Sequence, residues 1–245
     1  MVDEVLAKSF ERTGADYDRF RPGFPAAAAE ILIPRSVRTA LDLGAGTGKF
    51  TERLLGRADR IIAVEPAAAM LNVLRAKLPE VEALEGTAES IPVPDSSVDA
   101  VSVAQAFHWF DRERACAEIG RILVPGGTLG LLWNHADPTC AWDRAAHRVA
   151  HPAVADVDGT SASAADDLPG FLFVERVELR WSERITRADY LGRWSTVSTF
   201  LVADDATRAG MTLAIERILD QDPQTAGRTE FDLPLVTDLF LYRRV

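Results

Sequence analysis

The chain has 245 residues, with 27 lysines and arginines against 37 aspartates and glutamates, so its formal net charge is −10. Hydrophobic residues make up 47% and charged residues 26% of it, a balance that excludes wholesale disorder and low-complexity architectures. The acidic charge argues against DNA or RNA as a partner, because binding to phosphates requires a basic surface. Two cysteines are too few for a disulfide framework or a paired-cysteine zinc site. We therefore expect a cytoplasmic protein with no bound metal.

No segment of the sequence has the character of a signal peptide or a membrane anchor. Residues 1–20 mix charges throughout, and apolar runs such as 129–133 are far shorter than the roughly 20 residues of a spanning helix. A membrane partner is therefore not expected.

Short apolar runs alternate with segments of helical period in the first half of the chain, the pattern of a parallel α/β sheet. Strands are predicted at residues 38–43, 60–65, 81–85, 98–103 and 128–133. Between them, helices are predicted at 49–55, from Pro66 as a first helical residue, and from Asp111 as a capping residue.

The second half has a different pattern. Residues 151–170 are small, acidic and rich in turn formers, which predicts a loop or a mobile lid. A strand at 171–181, helical stretches at 186–200 and 204–221, and a final strand at 231–245 follow. We therefore predict one domain: an N-terminal lid and helix (1–37), a cofactor-binding core (38–134), and a substrate-side half (135–245) with a helical insertion at about 186–221.

The strongest chemical signal is the segment LDLGAGTG at residues 41–48, which lies between a predicted strand and a predicted helix. Its glycines allow positive φ and a close approach of the backbone to a ligand, and the following helix start offers free N–H groups. Glu65, about twenty residues on at the end of the next strand, can accept hydrogen bonds from both hydroxyls of a ribose. The spacing G-x-G-x-G differs from the G-x-G-x-x-G of dinucleotide folds. It suits a nucleoside with an amino-acid tail and no phosphate.

These residues resemble the consecutive motifs of class I S-adenosylmethionine-dependent methyltransferases. The resemblance rests on residues 42–48, 65–66, 87–89 and 123–131. More narrowly, residues 17–25 (YDRFRPGFP) and 103–111 (VAQAFHWFD) are similar to a branch of small-molecule methyltransferases related to the ubiquinone-biosynthesis and trans-aconitate methyltransferases. The resemblance implies a Rossmann-like, seven-stranded, mostly parallel sheet flanked by helices, with an antiparallel last strand and a helical insertion before it.

The resemblance also implies a cofactor site for S-adenosylmethionine, with S-adenosylhomocysteine as the product. Its members are Tyr17, Arg21, Asp42, Gly44, Ala45, Gly46, Glu65, Pro66, Thr87, Ala88, Glu89 and Gln105. In this arrangement the glycine loop faces the methionine portion, Asp42 braces its ammonium end, and Glu65 binds the ribose. Residues 66 and 87–89 surround the adenine, where many family members carry Asp at the position of Thr87. Gln105 lies beside the methionine end, and Tyr17 and Arg21 close over the pocket.

The methyl acceptor is expected at the carboxyl edge of the sheet, where open α/β sheets bind ligands. Candidate substrate-binding residues are His108, Trp109, Trp133, Asn134 and Trp194. His108 is also the candidate catalytic base if the acceptor is a hydroxyl. Plain core packing is the alternative for each tryptophan, and a structural role is the alternative for His108.

The sequence therefore predicts methyl transfer to a small-molecule acceptor, through an O, N, S or C nucleophile, by in-line displacement. Neither N/D-P-P-Y/F nor a Pro-Cys nucleophile follows the fourth predicted strand, which argues against nucleic-acid methylation. Two alternatives stay open at this point. One is a protein that binds S-adenosylmethionine without catalysis. The other, disfavoured by the glycine spacing, is a nicotinamide-dependent oxidoreductase.

Overall fold

The computed structural model describes residues 18–150, 167–195 and 197–245. Tyr17 and most of the predicted 151–170 loop therefore lie outside the described residues. The seven strands of the sheet are β1 Val37–Leu43, β2 Ala58–Val64, β3 Glu82–Leu84, β4 Val98–Ala104, β5 Leu123–Ala136, β6 Phe171–Thr186 and β7 Glu230–Arg244.

The strands lie in one sheet in the order β3-β2-β1-β4-β5-β7-β6. The first five pair in parallel, whereas β7 runs antiparallel to both β5 and β6. The chain reverses its direction of strand addition between β3 and β4, so the carboxyl ends of β1 and β4 lie side by side. This is the topological switch point at which open α/β sheets bind ligands. The predicted fold class is confirmed.

The helices are α1 Ala26–Leu32, α2 Ala68–Lys77, α3 Arg112–Ile122, α4 Ala141–Ala150, α5 Arg187–Trp194, α6 Ser198–Val202 and α7 Asp205–Gln221. The cap predicted at Asp111 is confirmed, because its side chain accepts a hydrogen bond from the backbone N–H of Arg114. Asp204 caps α7 in the same way, by accepting a hydrogen bond from the backbone N–H of Thr207. Helices α5–α7 form the helical insertion between β6 and β7. The sequence reasoning missed α4, which packs against α7.

The helical stretch predicted at 186–200 is divided into α5 and α6. Two helix predictions in the first half of the chain are also wrong in detail. The segment after the glycine loop is a short 3-10 turn, Thr51–Leu54, rather than a helix over 49–55. The reason is that Gly48 before it and Gly56 after it both have a positive φ, which a helix does not allow. Helix α2 begins at Ala68 rather than at Pro66. The reason is local: the Glu65 carboxylate accepts a hydrogen bond from the backbone N–H of Ala67 and keeps the connection extended.

The core has three parts. Helix α3 covers one face of the sheet, and α1, the 3-10 turn and α2 cover the other. The third part joins α4 and the insertion to the extended ends of β6 and β7. Among the residues described, no helix combines the length and hydrophobicity needed to cross a membrane.

Candidate functional site

A cleft of about 180 Å³ opens at the carboxyl ends of β1 to β4. Its lining comes from the four connections that follow these strands: Leu43, Gly44, Pro66, Gly86, Thr87, Ala88, Glu89, Trp109 and Phe110. Five of the predicted cofactor residues, Gly44, Pro66, Thr87, Ala88 and Glu89, are therefore brought together by the fold.

The glycine loop forms one side of this cleft. Gly44, Gly46 and Gly48 have φ of +68°, +55° and +84°, a region that L side chains rarely adopt. The N–H groups of Gly44 and Ala45 both donate to the carbonyl oxygen of Val64, which ties the loop to β2. A Cβ on Gly44 would lie 2.6 Å from the Ala106 Cβ, so only glycine fits there. A Cβ on Gly46 would meet only the Met70 sulfur, at 3.8 Å, among the described residues. The loop is therefore open at Gly46.

Asp42 lies beneath the loop rather than on the cleft surface. It is 1% exposed, and its carboxylate accepts hydrogen bonds from the hydroxyls of Thr51 (2.6 Å) and Ser102 (2.7 Å). Burial raises the pKa of Asp42 from 3.8 to about 6, against the lowering effect of these two hydrogen bonds. Asp42 thus joins β1, β4 and the 3-10 turn, and it supports the shape of the loop from below.

The raised pKa predicts a specific pH dependence of stability. The folded state binds the Asp42 proton more tightly than the unfolded state, so the ionised group destabilises the fold above pH 6. This cost disappears as the pH falls towards 3.8. A shift from 3.8 to about 6 corresponds to about 3 kcal/mol. The wild type should therefore gain up to about 3 kcal/mol of unfolding free energy relative to Asp42→Asn between pH 7 and pH 4. Urea unfolding of both proteins measures this, and parallel pH curves would contradict it.

Glu65 connects the glycine loop to the start of α2. Its two carboxylate oxygens accept hydrogen bonds from the N–H of Gly46 (2.9 Å) and of Ala67 (2.8 Å). The side chain is buried, and this burial raises the pKa of Glu65 above its usual value although both hydrogen bonds oppose the shift. Each carboxylate oxygen has a second lone pair, so these bonds leave capacity for ribose hydroxyls.

The residues that are predicted to surround the adenine all line the cleft, but their side chains differ in exposure. Ala88 is buried, Thr87 and Pro66 are exposed, and Glu89 is half-buried. A Glu89 oxygen accepts a hydrogen bond from the Asp111 N–H at the start of α3 (3.0 Å). The Glu89 side chain thereby fixes the distance between the β3 and β4 connections, which form opposite sides of the cleft.

Gln105 adopts a left-handed backbone conformation, with φ of +56°, directly after β4. Such strain in a residue other than glycine tends to occur at functional sites. Its side chain donates a hydrogen bond from Nε2 to the carbonyl oxygen of Asn134 (2.8 Å) at the end of β5. The Asn134 side chain in turn donates to the Gly23 carbonyl oxygen (2.7 Å) and accepts from the Thr237 hydroxyl (2.5 Å). Asn134 therefore fastens the N-terminal segment to the sheet.

His108 and Trp109 lie on a 3-10 turn, Phe107–Trp109, that follows β4. Both side chains are exposed, and their rings pack together with centroids 4.8 Å apart. Trp109 also lines the cleft and is 47% exposed, an unusual exposure for so large an apolar side chain.

The two other predicted tryptophans are buried. Trp133 is 3% exposed and packs edge to face against Phe240, and Trp194 is 1% exposed between His147 and Tyr190. Neither belongs to the cleft lining. Core packing, the alternative considered from the sequence, is thus their observed environment, and a contact with the acceptor stays a prediction.

The N-terminal segment, residues 18–25, lies across the carboxyl edge of the sheet and against the insertion. The Phe20 ring sits so close to Gly192 of α5 that a Cβ there would lie 2.5 Å from it. The Gly23 N–H donates to Glu183 of β6 (3.2 Å). Arg21, half-buried, belongs to this segment. The sequence gives no signal for these pairings, because the partners are 160 or more residues apart.

Among the described residues, no group of three or more histidines, cysteines or acids is arranged to hold a metal ion. The site is therefore a cleft with a glycine loop, a buried acid after β2 and an apolar surface. Together with the strand order, these features define a Rossmann-like methyltransferase.

Comparison with known proteins supports this class. Residues 41–131 match the family described as "Methyltransferase domain". An uncharacterized methyltransferase of Mycobacterium tuberculosis is 39% identical over 233 residues, which cover 95% of this chain and 94% of the relative. An uncharacterized methyltransferase of Schizosaccharomyces pombe is 36% identical over 176 residues, 70% of each chain. The solved structure of a putative type II methyltransferase from Anaeromyxobacter dehalogenans superposes with a TM-score of 0.68 at 26% identity, covering 92% of this chain and 97% of that one.

The chain therefore belongs to the class I S-adenosylmethionine-dependent methyltransferases. The narrower resemblance to the ubiquinone-biosynthesis and trans-aconitate branch stays a prediction.

Proposed function

We propose that the cleft binds S-adenosylmethionine and that the methyl group passes to a small-molecule acceptor at the carboxyl ends of β4 and β5. The observation that carries this proposal is the position of Glu65, whose buried carboxylate reaches both the glycine loop and the connection after β2. One side chain thus joins the two segments that a nucleoside with an amino-acid tail must touch.

The residues present fit this cofactor. The open side of the loop at Gly46 leaves space for the methionine portion, and Gly44 and Ala45 bring the backbone close to it. The apolar cleft beside Ala88 suits an adenine ring, with the hydroxyl of Thr87 or the carboxylate of Glu89 at its edge. Asp42 acts through the loop, since its oxygens are occupied by Thr51 and Ser102.

S-adenosylmethionine supplies an activated methyl group on a sulfonium. The protein has to align the acceptor with that methyl group and exclude water, for which no strong acid–base constellation is needed. Gln105 fixes the end of β4 against β5 through the Asn134 carbonyl. The N-terminal segment with Arg21 would cover the donor, which is supported by the contacts of residues 18–25 with β5, β6 and α5. The role of Tyr17 stays a prediction from the sequence. His108 and Trp109 would contact the acceptor, which is supported by their exposure directly after β4.

Isothermal titration calorimetry tests the choice of ligand. We expect S-adenosylmethionine and S-adenosylhomocysteine to bind, and NADH to show no comparable binding, because the glycine spacing provides no site for a pyrophosphate. Tight binding of NADH would contradict the proposal. Release of S-adenosylhomocysteine in a coupled assay across candidate acceptors distinguishes catalysis from binding alone.

A further inference from the structure

The N-terminal segment, residues 18–25, is anchored to the helical insertion directly before Arg21. The ring of Phe20 packs on α5 at Gly192, where a Cβ would lie 2.5, 2.8 and 2.9 Å from three carbon atoms of the ring. Real Cβ atoms essentially never show contacts this short, so the ring occupies space that only a glycine leaves. This first anchor places the residue before Arg21 on an element of the insertion.

A second anchor lies two residues after Arg21. Gly23 is buried, and its N–H donates a hydrogen bond to Oε1 of Glu183 on β6 (3.2 Å). The Gly23 carbonyl oxygen accepts a hydrogen bond from Nδ2 of Asn134 on β5 (2.7 Å). Buried backbone groups require such partners, so both bonds help to fix the segment. The backbone on either side of Arg21 is thus held by β5, β6 and α5, outside the cleft lining.

A directional series of hydrogen bonds fixes the second anchor. The indole N–H of Trp181 can only donate, and it donates to the hydroxyl of Thr237 (2.9 Å). This hydroxyl donates its single hydrogen to Oδ1 of Asn134 (2.5 Å). The amide of Asn134 is thereby oriented with Nδ2 towards the Gly23 carbonyl oxygen. Both ends of the Asn134 side-chain amide therefore serve to hold the N-terminal segment on the sheet.

The N-terminal segment also contacts the donor side of the site. Phe24 is buried and packs edge to face on Phe50, with ring centroids 5.3 Å apart. Phe50 lies two residues after Gly48, the last glycine of the loop. At the other end of the segment, Asp18 pairs with Lys77 at the end of α2 (3.2 Å). The segment therefore connects the surroundings of the glycine loop to the helical insertion.

We propose that these two anchors position Arg21 for the carboxylate of the cofactor's methionine portion, and that the helical insertion thereby controls the affinity for the donor. This inference rests on the proposed function. Asn134 and Glu183 are positioning residues in this arrangement. The guanidinium of an arginine can bind a carboxylate through two parallel N–H donors, but the geometry is demanding and depends on where the backbone is held.

The proposal has a quantitative consequence. The apparent dissociation constant rises as the reciprocal of the fraction of molecules in which the segment is docked. Loss of one anchor therefore weakens donor binding although no residue of the cleft has changed. The donor is bound tightly only by molecules whose insertion is in place, so the two halves of the site are assembled together.

Gly192→Ala removes the first anchor, and Gly210→Ala is its matched control. Both glycines lie inside helices, but a Cβ on Gly210 of α7 would meet no atom within 4 Å among the described residues. We expect calorimetry to show that Gly192→Ala binds S-adenosylhomocysteine about fivefold or more weakly than the wild type, which corresponds to a docked fraction of about one fifth. Gly210→Ala should bind within about twofold of the wild type. Equal affinities of the two variants overturn the proposal.

A pair of substitutions at Glu183 tests the second anchor, and it decides the proposal if Gly192→Ala does not fold. Glu183→Leu has no acceptor for the Gly23 N–H, whereas Glu183→Gln keeps a carbonyl oxygen at the same position along the side chain. We expect Glu183→Leu to bind S-adenosylhomocysteine about fivefold or more weakly, and Glu183→Gln to stay within about twofold of the wild type. Wild-type affinity in Glu183→Leu overturns the proposal.

5′-Methylthioadenosine tests whether the anchors act on the carboxylate or on the whole cleft. This molecule has the adenosine portion of the cofactor without its amino-acid tail. Its affinity, measured by competition with S-adenosylhomocysteine, should change by less than about twofold in Gly192→Ala and Glu183→Leu, because it has no carboxylate for Arg21 to bind. Equal losses of affinity for both ligands would mean that the substitutions disturb the whole cleft, and they overturn the proposal.

Failure of this inference is distinguishable from failure of the proposed function. If S-adenosylhomocysteine does not bind to the wild type, the proposed function itself fails. If it binds with the same affinity to the wild type and to Glu183→Leu, only the role of the anchors fails.

Discussion

Replacement of Gly44 by alanine is expected to lower the unfolding free energy by roughly 2–4 kcal/mol and to weaken the binding of S-adenosylhomocysteine at least tenfold. The new Cβ would lie 2.6 Å from the Ala106 Cβ and 3.3 Å from the Phe110 ring. Overpacking of this kind costs about 1–3 kcal/mol, and the left-handed backbone adds about 1–2 kcal/mol for any residue with a Cβ. Relief of the clash must displace Ala106 or Phe110. Because Phe110 lines the cleft, its displacement changes the shape of the binding site, so affinity is lost together with stability.

Gly46→Ala is the matched control for this prediction. Gly46 also has a positive φ, of +55°, but its Cβ would meet only the Met70 sulfur, at 3.8 Å, among the described residues. We expect this variant to lose only about 1 kcal/mol of stability, through backbone strain. Urea unfolding and calorimetry of both variants measure the difference. Equal losses of stability would mean that backbone conformation, rather than the contact with Ala106, makes glycine necessary at position 44.

Replacement of Glu65 by alanine is expected to reduce the affinity for S-adenosylhomocysteine tenfold or more and to destabilise the fold by roughly 2–4 kcal/mol. The variant leaves the N–H groups of Gly46 and Ala67 without their acceptor and removes the proposed acceptor of the ribose hydroxyls. Hydrogen bonds to charged groups contribute about 1.5–3 kcal/mol each, so the loss of either set gives a large effect. Calorimetry measures the loss of affinity for S-adenosylhomocysteine, and urea unfolding measures the loss of stability.

Glu82→Ala provides the control for loss of a carboxylate. Glu82 lies on the neighbouring strand β3, is exposed, and pairs with Arg60 at the surface. Its removal should change stability by no more than about 0.5 kcal/mol and leave affinity unchanged. If Glu65→Ala is destabilised but binds S-adenosylhomocysteine as tightly as the wild type, Glu65 serves only the loop and the start of α2.

Much of the structure on the proposed cofactor side could be predicted from the sequence because its parts are local. The glycine loop, Glu65 and residues 87–89 each follow directly after a strand, and parallel strands bring their carboxyl ends to one edge. The strand positions follow from short apolar runs, and the cap at Asp111 follows from side-chain chemistry within three residues. The same local reasoning failed at residues 49–55. There the conformations of Gly48 and Gly56 outweigh helix propensity.

The proposed acceptor side could not be predicted in this way, because its contacts join distant parts of the chain. The pair of His135 with Asp238 spans 103 residues, and that of Gly23 with Glu183 spans 160. On the cofactor side, the pair of Asp42 with Ser102 spans 60 residues and is equally hidden. No periodicity or motif encodes such pairs. The sequence by itself determined the class of fold, the glycine loop and the acid after β2. Only the tertiary structure decided that Trp133 and Trp194 are buried and that His135 faces a carboxylate, since antiparallel pairing with β7 sets which side chains share a face.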